Sequence, residues 1–236
     1  MGTVKELKQK VLEANLSLVS NHLVISTWGN VSGYDPELGL VAIKASGVPY
    51  ADMREEHMVV LDLTGKVRDS KYRPSTDTIT HLIIYRHFAD AGIRGVVHTH
   101  SQFAAMWAQM GVPLPCMGTT HADYFNGDIP CTRELSIEEI ENGYEENTGN
   151  SIIQALEGVD PKRMPGVLAV HHAPFTWGES PEKAVMNSVV LEYIAKMAYC
   201  QMVMSDGKCK KLPEAILRKH QNRKFGKHAY YGQSNK

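Results

Sequence analysis

Apolar residues recur every three or four positions in several stretches of the chain, which is the periodicity of a helix with one buried face. The first such stretch opens the sequence, and the longest begins at Ser180-Pro181, where a proline suits the first helical turn. Further helices are predicted from Asp77 onward, over Ser101–Met110, near Asn150–Leu156 and over roughly Pro213–Lys224. The apolar stripes of the first and longest helices are Val4, Leu7, Val11, Ala14 and Leu18, and Ala184, Ser188, Leu191, Ala195, Ala198 and Met202.

Short runs rich in apolar and β-branched residues lie between these helices and predict strands. They are Gly39–Lys44, Met58–Leu63 with a turn into Lys66-Val67, the run from Gly95 that ends in two histidines, and the run from Gly166. Strands and helices interleave without a regular βαβ repeat, so we expect a mixed sheet with helices on both faces. Because no linker, internal repeat or low-complexity tract is visible, residues 1–236 are predicted to form a single domain.

Composition and charge exclude several classes of protein. The 236 residues carry 25 Lys and Arg against 26 Asp and Glu, so no overall charge favours nucleic acid or a membrane surface as a partner. No apolar run approaches the ~20 residues of a membrane span, and the start of the chain shows no secretory signal. The four cysteines have no C-x-x-C spacing and indicate a reducing compartment. We therefore expect a cytoplasmic protein.

The C-terminal segment departs from this balance of charge. Residues 208–236 contain nine Lys or Arg and a single acid, Glu214. A solvated basic helix explains this, and an anionic substrate or an acidic neighbouring subunit explains it as well.

Histidines stand at the ends of two apolar runs. His98 and His100 follow Gly95-Val96-Val97, and His172 follows the run from Gly166. On a strand, residues two apart project from the same face, so His98 and His100 suit one cation, and a third imidazole leaves a position open for substrate. Polar strand ends that meet solvent are the alternative. Two strands that both end in histidine favour the metal site.

Three short polar loops have the composition of anion-binding turns, in which Gly allows close approach and hydroxyl or amide groups donate. They are residues 27–32, 44–47 and 74–77, and each one alone is an ordinary turn. Asp77 in the third loop is either a helix N-cap or a fourth, carboxylate ligand beside the histidines. Asp123 is either a capping residue or a proton-transfer group. Tyr230-Tyr231 either docks the tail or supplies an acid.

The chain resembles the L-ribulose-5-phosphate 4-epimerases, a branch of the class II, metal-dependent sugar-phosphate aldolase superfamily. The likeness runs almost from end to end. The blocks that carry it are V-L-E-A-N-L, T-W-G-N-V-S, I-K-x-S-G-V, R-P-S-T-D-T, G-V-V-H-T-H-S, G-T-T-H-A-D-Y-F, D-I-P-C-T-R, M-P-G-V-L and A-Y-Y-G-Q. The resemblance implies an α/β fold of three layers, α/β/α, with a central mixed, mainly antiparallel sheet flanked by helices.

The resemblance also assigns residues. It implies that His98, His100 and His172 bind the metal, with Asp77 as a further ligand. His172 is preferred to His171 because it precedes Ala173-Pro174-Phe175, where the family has H-G-P-F. Asp123 and Tyr231 match the acid/base pair. The substrate or phosphate contacts, with the residues beside them, are Gly29, Asn30, Lys44, Ser46, Gly47, Ser75, Thr76, Thr119 and His220.

The implied reaction interconverts L-ribulose 5-phosphate and D-xylulose 5-phosphate. The C4 hydrogen is not adjacent to the C2 carbonyl, so C4 is inverted by breaking and re-forming the C3–C4 bond, with glycolaldehyde phosphate rotating in between. One divalent metal per subunit stabilises the enediolate as a Lewis acid. Three imidazoles favour Zn, with Mn or Co as alternatives. The resemblance further implies a homotetramer whose sites lie at subunit interfaces, with Asp123 and Tyr231 contributed by the neighbouring chain.

Two other functions compete with this one. A class II aldolase that cleaves a deoxyketose 1-phosphate is the nearest, although such aldolases tend to have Glu where this chain has Asp77. A non-enzymatic scaffold of the same superfamily is the other, and it would lack the metal histidines. The sequence does not distinguish arabinose from ascorbate catabolism as the source of the pentulose.

Overall fold

The structure is a computed structural model that describes residues 2–227 and 229–230. In that part of the chain, seven strands form one sheet in the order β4-β3-β2-β1-β5-β7-β6. Every ladder between neighbouring strands is antiparallel, and the parallel pairing is limited to an isolated bridge between Cys131 and Leu168. The strands are β1 Asn30–Asp35, β2 Leu40–Lys44, β3 Met58–Asp62, β4 Val67–Asp69, β5 Gly95–His98, β6 Gly166–Leu168 and β7 Pro174–Gly178.

Both faces of the sheet are buried, because alternate residues of the central strands enter two different hydrophobic clusters. On β2, Val41 and Ile43 enter the larger cluster, while Ala42 enters the smaller one. On β3, Leu61 enters the larger cluster and Val60 enters the smaller one. This double burial explains why these strands appear in the sequence as continuous apolar runs rather than as alternating ones.

Helices cover the two faces, so the predicted layered α/β fold with a mainly antiparallel sheet is confirmed. The first helix packs on the smaller cluster, the second and sixth pack against each other on the larger one, and the seventh contributes to both. None of the described helices has both the length and the apolar character needed to cross a membrane. The helices are α1 Val4–Ser20, α2 Thr78–Phe88, α3 Gln102–Gln109, α4 Thr119–Ala122, α5 Ile137–Glu141, α6 Tyr144–Ala155, α7 Pro181–Met204 and α8 Glu214–Phe225, with short 3-10 helices at Tyr50–Asp52 and Glu55–His57.

Two elements differ from the sequence predictions. The segment after Gly29 was expected to be a polar loop, but Asn30–Asp35 forms the central strand β1. The helix predicted near Asn150 begins at Tyr144. Gly149 lies inside α6, where a Cβ would be only 2.7 Å from Ile83 Cδ1 on α2. Glycine therefore allows α6 to approach α2.

The ends of two strands also need correction. Strand β5 ends at His98, so His100 lies beyond it, and β6 ends at Leu168, so His172 lies in the connection to β7. The expectation that both runs are strands as far as their last histidine was wrong.

Candidate active site

Three histidines lie close together where β5 ends and β7 begins. His98 ends β5, His100 follows two residues later, and His172 lies in the turn that leads into β7, the strand paired with β5. One ring nitrogen from each histidine lies within 4.8 Å of those of the other two, and the Nε2 atoms of His98 and His100 are 3.1 Å apart. The structure therefore brings together the three histidines predicted as metal ligands.

Neighbouring groups fix the orientation and the charge of these rings. The Nδ1–H of His98 donates to the carbonyl oxygen of Pro174 at 3.1 Å, so its Nε2 is left free to bind, and the ring stacks on Phe175 with centroids 4.3 Å apart. Burial lowers the pKa of His98 to about 3. Burial also lowers the pKa values of His100 and His172. All three rings are therefore neutral at pH 7, which is the form that binds a metal.

The donor set fits a divalent cation. Three neutral imidazoles suit zinc and similar borderline metals, and three protein ligands leave a position for substrate. The Nδ1 atom of His172 is buried without a hydrogen-bond partner. A buried polar nitrogen of this kind is costly unless something binds to it or holds it. On its other side, His172 borders a cavity of about 250 Å³ that is also lined by Tyr144.

Asp77 lies beside the histidines, at the start of α2. Its side chain makes no capping hydrogen bond, and its Oδ2 instead accepts from Asn30 Nδ2 at 2.7 Å and from the Ser75 hydroxyl at 3.2 Å. Burial raises the pKa of Asp77, but the rings of His98 and His81 and the Asn30 hydrogen bond outweigh it, so the net pKa is lowered. Of the two interpretations of Asp77, side-chain capping is not supported. Direct ligation of a metal stays a prediction.

The three polar loops converge next to this carboxylate. Lys44 Nζ donates to the Thr27 carbonyl at 3.3 Å, the Ser75 N–H donates to the Lys44 carbonyl at 3.0 Å, and the Ser46 N–H donates to the Arg73 carbonyl at 3.0 Å. Asn30 spans two of the loops, because its Nδ2 also donates to Ser75 Oγ at 3.0 Å. The loops therefore form one continuous surface, as a phosphate site requires.

Small and charged residues shape that surface. A Cβ at Gly29 would lie 3.0 Å from the His98 carbonyl oxygen, so glycine allows this loop to approach β5. Lys44 is 2% exposed, and burial lowers its pKa while Asp77 acts in the opposite direction. Ser46, Gly47 and Thr76 are exposed at the rim. The arrangement places a buried cation and several donors beside the histidine cluster.

The second predicted group of residues lies between α4 and α8. Asp123 directly follows α4 and is 7% exposed. Its carboxylate accepts from His220 Nδ1 at 2.9 Å and from Arg223 Nη2 at 2.5 Å. Thr119 is exposed at the first position of α4. The partners of Asp123 are thus on α8, whereas those of the histidine cluster are on β1, α2 and β7. Tyr231 lies outside the described residues.

Sequence reasoning missed several aromatic residues around the cluster. Trp28 is 58% exposed with its ring centroid 6.1 Å from that of His100, and the ring centroids of Tyr144 and His172 are also 6.1 Å apart. Phe175 separates the rings of His98 and His81. The sequence held two signals for these residues: Phe175 is part of the H-A-P-F block, and Trp28 is part of the T-W-G-N block.

Comparison with known proteins identifies the family. The profile of the family described as Class II Aldolase and Adducin N-terminal domain matches residues 9–199. The chain belongs to this family. The match includes all three histidines and the converging loops, and it confirms the resemblance predicted from the sequence blocks.

Two members of the family from Salmonella are close relatives. The proteins named L-ribulose-5-phosphate 4-epimerase UlaF from Salmonella paratyphi A (strain ATCC 9150 / SARB42) and from Salmonella typhi are each 50% identical to this chain over 230 residues, which is 98% of this chain and 100% of theirs.

Solved structures of the class II aldolase fold agree with the architecture. An L-fuculose 1-phosphate aldolase superposes with a TM-score of 0.79 at 25% identity and covers 92% of this chain and 95% of its own. YgbL from Klebsiella pneumoniae, described as a putative aldolase/epimerase/decarboxylase, superposes with a TM-score of 0.71 at 21% identity, over 93% of this chain and 99% of its own. The second likeness shows the fold alone.

Proposed function

We propose that the protein is a metal-dependent L-ribulose-5-phosphate 4-epimerase, which interconverts L-ribulose 5-phosphate and D-xylulose 5-phosphate. The observation that carries the proposal is a cluster of three neutral histidines beside a buried lysine and donor-rich loops, within a chain 50% identical to proteins named as this epimerase. A sugar phosphate needs both parts of such a site, because one part binds the phosphate and the other stabilises charge near the carbonyl.

The chain's own residues divide the work of the reaction. His98, His100 and His172 would hold the cation through neutral imidazoles. A divalent cation held there supplies Lewis-acid stabilisation of negative charge on the C2 and C3 oxygens. As the C3–C4 bond breaks, a base takes the proton of the C4 hydroxyl, and the electron pair of the bond passes into the three-carbon fragment. The released glycolaldehyde phosphate then turns and adds back through its other face.

The phosphate has to stay bound while the aldehyde turns. Lys44 supplies the buried positive charge beside the loops, Asn30 supplies a buried amide, and the loops supply hydroxyl groups. We assign phosphate and hydroxyl binding to this surface. Its residues are Gly29, Asn30, Lys44, Ser46, Gly47, Ser75 and Thr76. We add Thr119 on α4 and His220 on α8, which lie with Asp123, as further substrate contacts.

Proton transfer at C4 requires two groups, one for each configuration. We propose Asp123 and Tyr231 for these roles, contributed by a neighbouring subunit of a homotetramer. Support for this comes from Asp123, whose described partners lie on α8 and not among the metal histidines. Loss of either proton-transfer group should lower the rate roughly 10²–10⁴-fold.

The finer assignments are also proposals. Zn is the favoured metal, with Mn and Co as alternatives, because three imidazoles suit borderline cations. We further propose a cytoplasmic protein whose residues 1–236 form a single domain. Its pentulose phosphate comes from arabinose or ascorbate catabolism.

A coupled assay tests the epimerase proposal. Wild-type protein should convert L-ribulose 5-phosphate to D-xylulose 5-phosphate, lose this activity on chelation and regain it with Zn²⁺. His98→Ala should abolish it, whereas His87→Ala, at an exposed position on α2, should not. Efficient net release of dihydroxyacetone phosphate from a deoxyketose 1-phosphate, without conversion of the ribulose phosphate, would establish the aldolase alternative instead.

A further inference from the structure

The connection between β6 and β7 contains two adjacent histidines in different environments. His172 N–H donates to the Ala169 carbonyl at 3.0 Å, which closes a β-turn with Val170 and His171 at its centre. His171 is the third residue of this turn and has a φ of 57°. In type II turns that position has positive φ and prefers Gly or Asn, because a Cβ is strained there. A histidine adopts this backbone here, directly before a metal-ligating residue.

One backbone hydrogen bond and two ring contacts hold His171 in this strained conformation. Its N–H donates to the Ala108 carbonyl at 2.9 Å, its Nδ1 lies 3.3 Å from the Gln109 carbonyl, and its Nε2 lies 3.0 Å from Glu134 Oε1. The first two acceptors lie in the last turn of α3, where carbonyl groups lack intrahelical partners. His171 therefore ties the turn to the C-terminal end of a helix.

That helix begins beside the other two ligands. Ser101 is the N-cap of α3 and directly follows His100. The eight residues of α3 thus form a short rigid connection from His98 and His100 at one end to the His171 turn at the other. Strained backbone of this kind persists where surrounding contacts fix it, and it is concentrated at functional sites.

We propose that His171 is a positioning residue for the metal centre, whose left-handed backbone and N–H bond to the Ala108 carbonyl of α3 direct His172 toward His98 and His100. This rests on the metal site of the proposed function. The ring of His171 does not itself ligate, because it is exposed and pairs with Glu134. Removing the turn conformation while keeping all three ligands should therefore weaken metal binding.

The chain offers a matched control. His22 is another exposed histidine with positive φ, 56°, and it follows α1 at a distance in sequence from every ligand. A β-branched residue is especially unfavourable at positive φ, whereas Asn tolerates it. His171→Val and His22→Val therefore introduce the same backbone conflict at two places, and His171→Asn removes the ring while retaining the turn.

Zinc affinity of the full chain, measured by competition with a chromophoric chelator, tests the proposal without any enzyme assay. We expect His171→Val to bind Zn²⁺ roughly 10–100-fold more weakly, as for other residues that orient ligands. His171→Asn and His22→Val should bind like wild type, and His171→Ala should lie between Asn and Val. Circular dichroism melting curves report folding, and the comparison of Ala with Asn decides the question if the Val variant does not fold.

The outcomes separate the two proposals. Wild-type protein that takes up no zinc overturns the metal site and the function built on it. Wild-type protein that binds zinc, with His171→Val and His171→Ala binding equally tightly, overturns only the role of His171. Equal weakening by His22→Val also overturns it, because the loss would then follow general instability.

Discussion

At the scale of single residues, burial gives the histidines of this chain different chemical states. His98 is buried, and its pKa is lowered to about 3, so the ring stays neutral and available as a ligand. His171, directly before the proposed ligand His172, is exposed, and its hydrogen bond to Glu134 raises its pKa. The same side chain is therefore held neutral in one place by burial and is kept more basic in another by a neighbouring carboxylate. Surroundings decide this, not residue type.

Burial of a histidine also makes stability depend on pH, and His121 provides a test away from the metal ligands. Burial lowers its pKa from 6.5 to about 4, and its Nε2–H donates to the Gly127 carbonyl at 2.8 Å. Between these pH values the unfolded chain binds a proton that the folded chain does not, so the free energy of unfolding falls as pH falls. The full effect is about 3 kcal/mol.

His121→Gln removes this titration and keeps an N–H donor for Gly127. Urea unfolding at pH 6.5 and pH 4.5 should show that the variant loses less stability over this range than wild type does. His87→Gln, at an exposed position, should retain the wild-type dependence. Equal losses in wild type and His121→Gln would contradict the prediction.

At the scale of elements, the approach of α7 to β5 depends on one missing side chain. A Cβ at Gly95 would lie 2.3 Å from the Ser180 carbonyl oxygen and 2.5 Å from Pro181 Cα, both of them backbone atoms. Backbone cannot move aside as a flexible side chain can, so Gly95→Ala should force β5 and α7 apart. We expect a loss of about 3 kcal/mol or more in the free energy of unfolding, measured by urea denaturation.

Gly118 is the matched control for this substitution. Its φ is −153°, and no atom lies within 4 Å of the position that a Cβ would take. Gly118→Ala should therefore change stability by less than about 0.5 kcal/mol. A Gly95→Ala protein as stable as this control would show that the two elements are not in such close contact.

The same elements show what local pattern predicts and where it fails. Helices α1 and α7 were predictable because their apolar stripes are long and their N-caps are clear. Strand β1 was not, since Asn30 and Ser32 are polar residues on a buried strand, and their side chains bond to Asp77, just before α2, and to His81 within it. Their partners lie more than 40 residues away in sequence, so no local pattern could indicate them.

The site shows the same division between pattern and tertiary contact. The histidine pair was predictable from its spacing, the third histidine from the apolar run before it, and the choice of His172 over His171 from the family blocks. The reason given for the pair was wrong, because β5 ends at His98 and a turn, not a strand, presents His172. The residue with left-handed backbone in this turn is a histidine, whereas a glycine there would have made the turn predictable. The convergence of the three polar loops was not predictable, because it depends on how the strands pair in the sheet.

At the scale of the whole molecule, the candidate residues form two groups whose described partners lie on different elements. The histidine cluster and the phosphate loops meet where β1, β5 and α2 come together, whereas Asp123 and His220 pair between α4 and α8. A reaction that needs both groups at one substrate is explained if each site takes one group from each of two subunits. This arrangement predicts that a subunit lacking one group and a subunit lacking the other can together form an intact site.

Subunit mixing tests that arrangement. His98→Ala and Asp123→Asn should each abolish epimerase activity in pure form, since one removes a proposed metal ligand and the other a proposed proton-transfer group. Refolded together in equal amounts, they should regain roughly a quarter of wild-type activity, because random assembly places an intact His98 opposite an intact Asp123 at that fraction of interfaces. Mixing His98→Ala with His172→Ala should restore nothing, since both damage the same half. Differently tagged chains confirm that mixed oligomers form, and mixed oligomers of the first pair without activity would place Asp123 and the histidines of one chain in the same site.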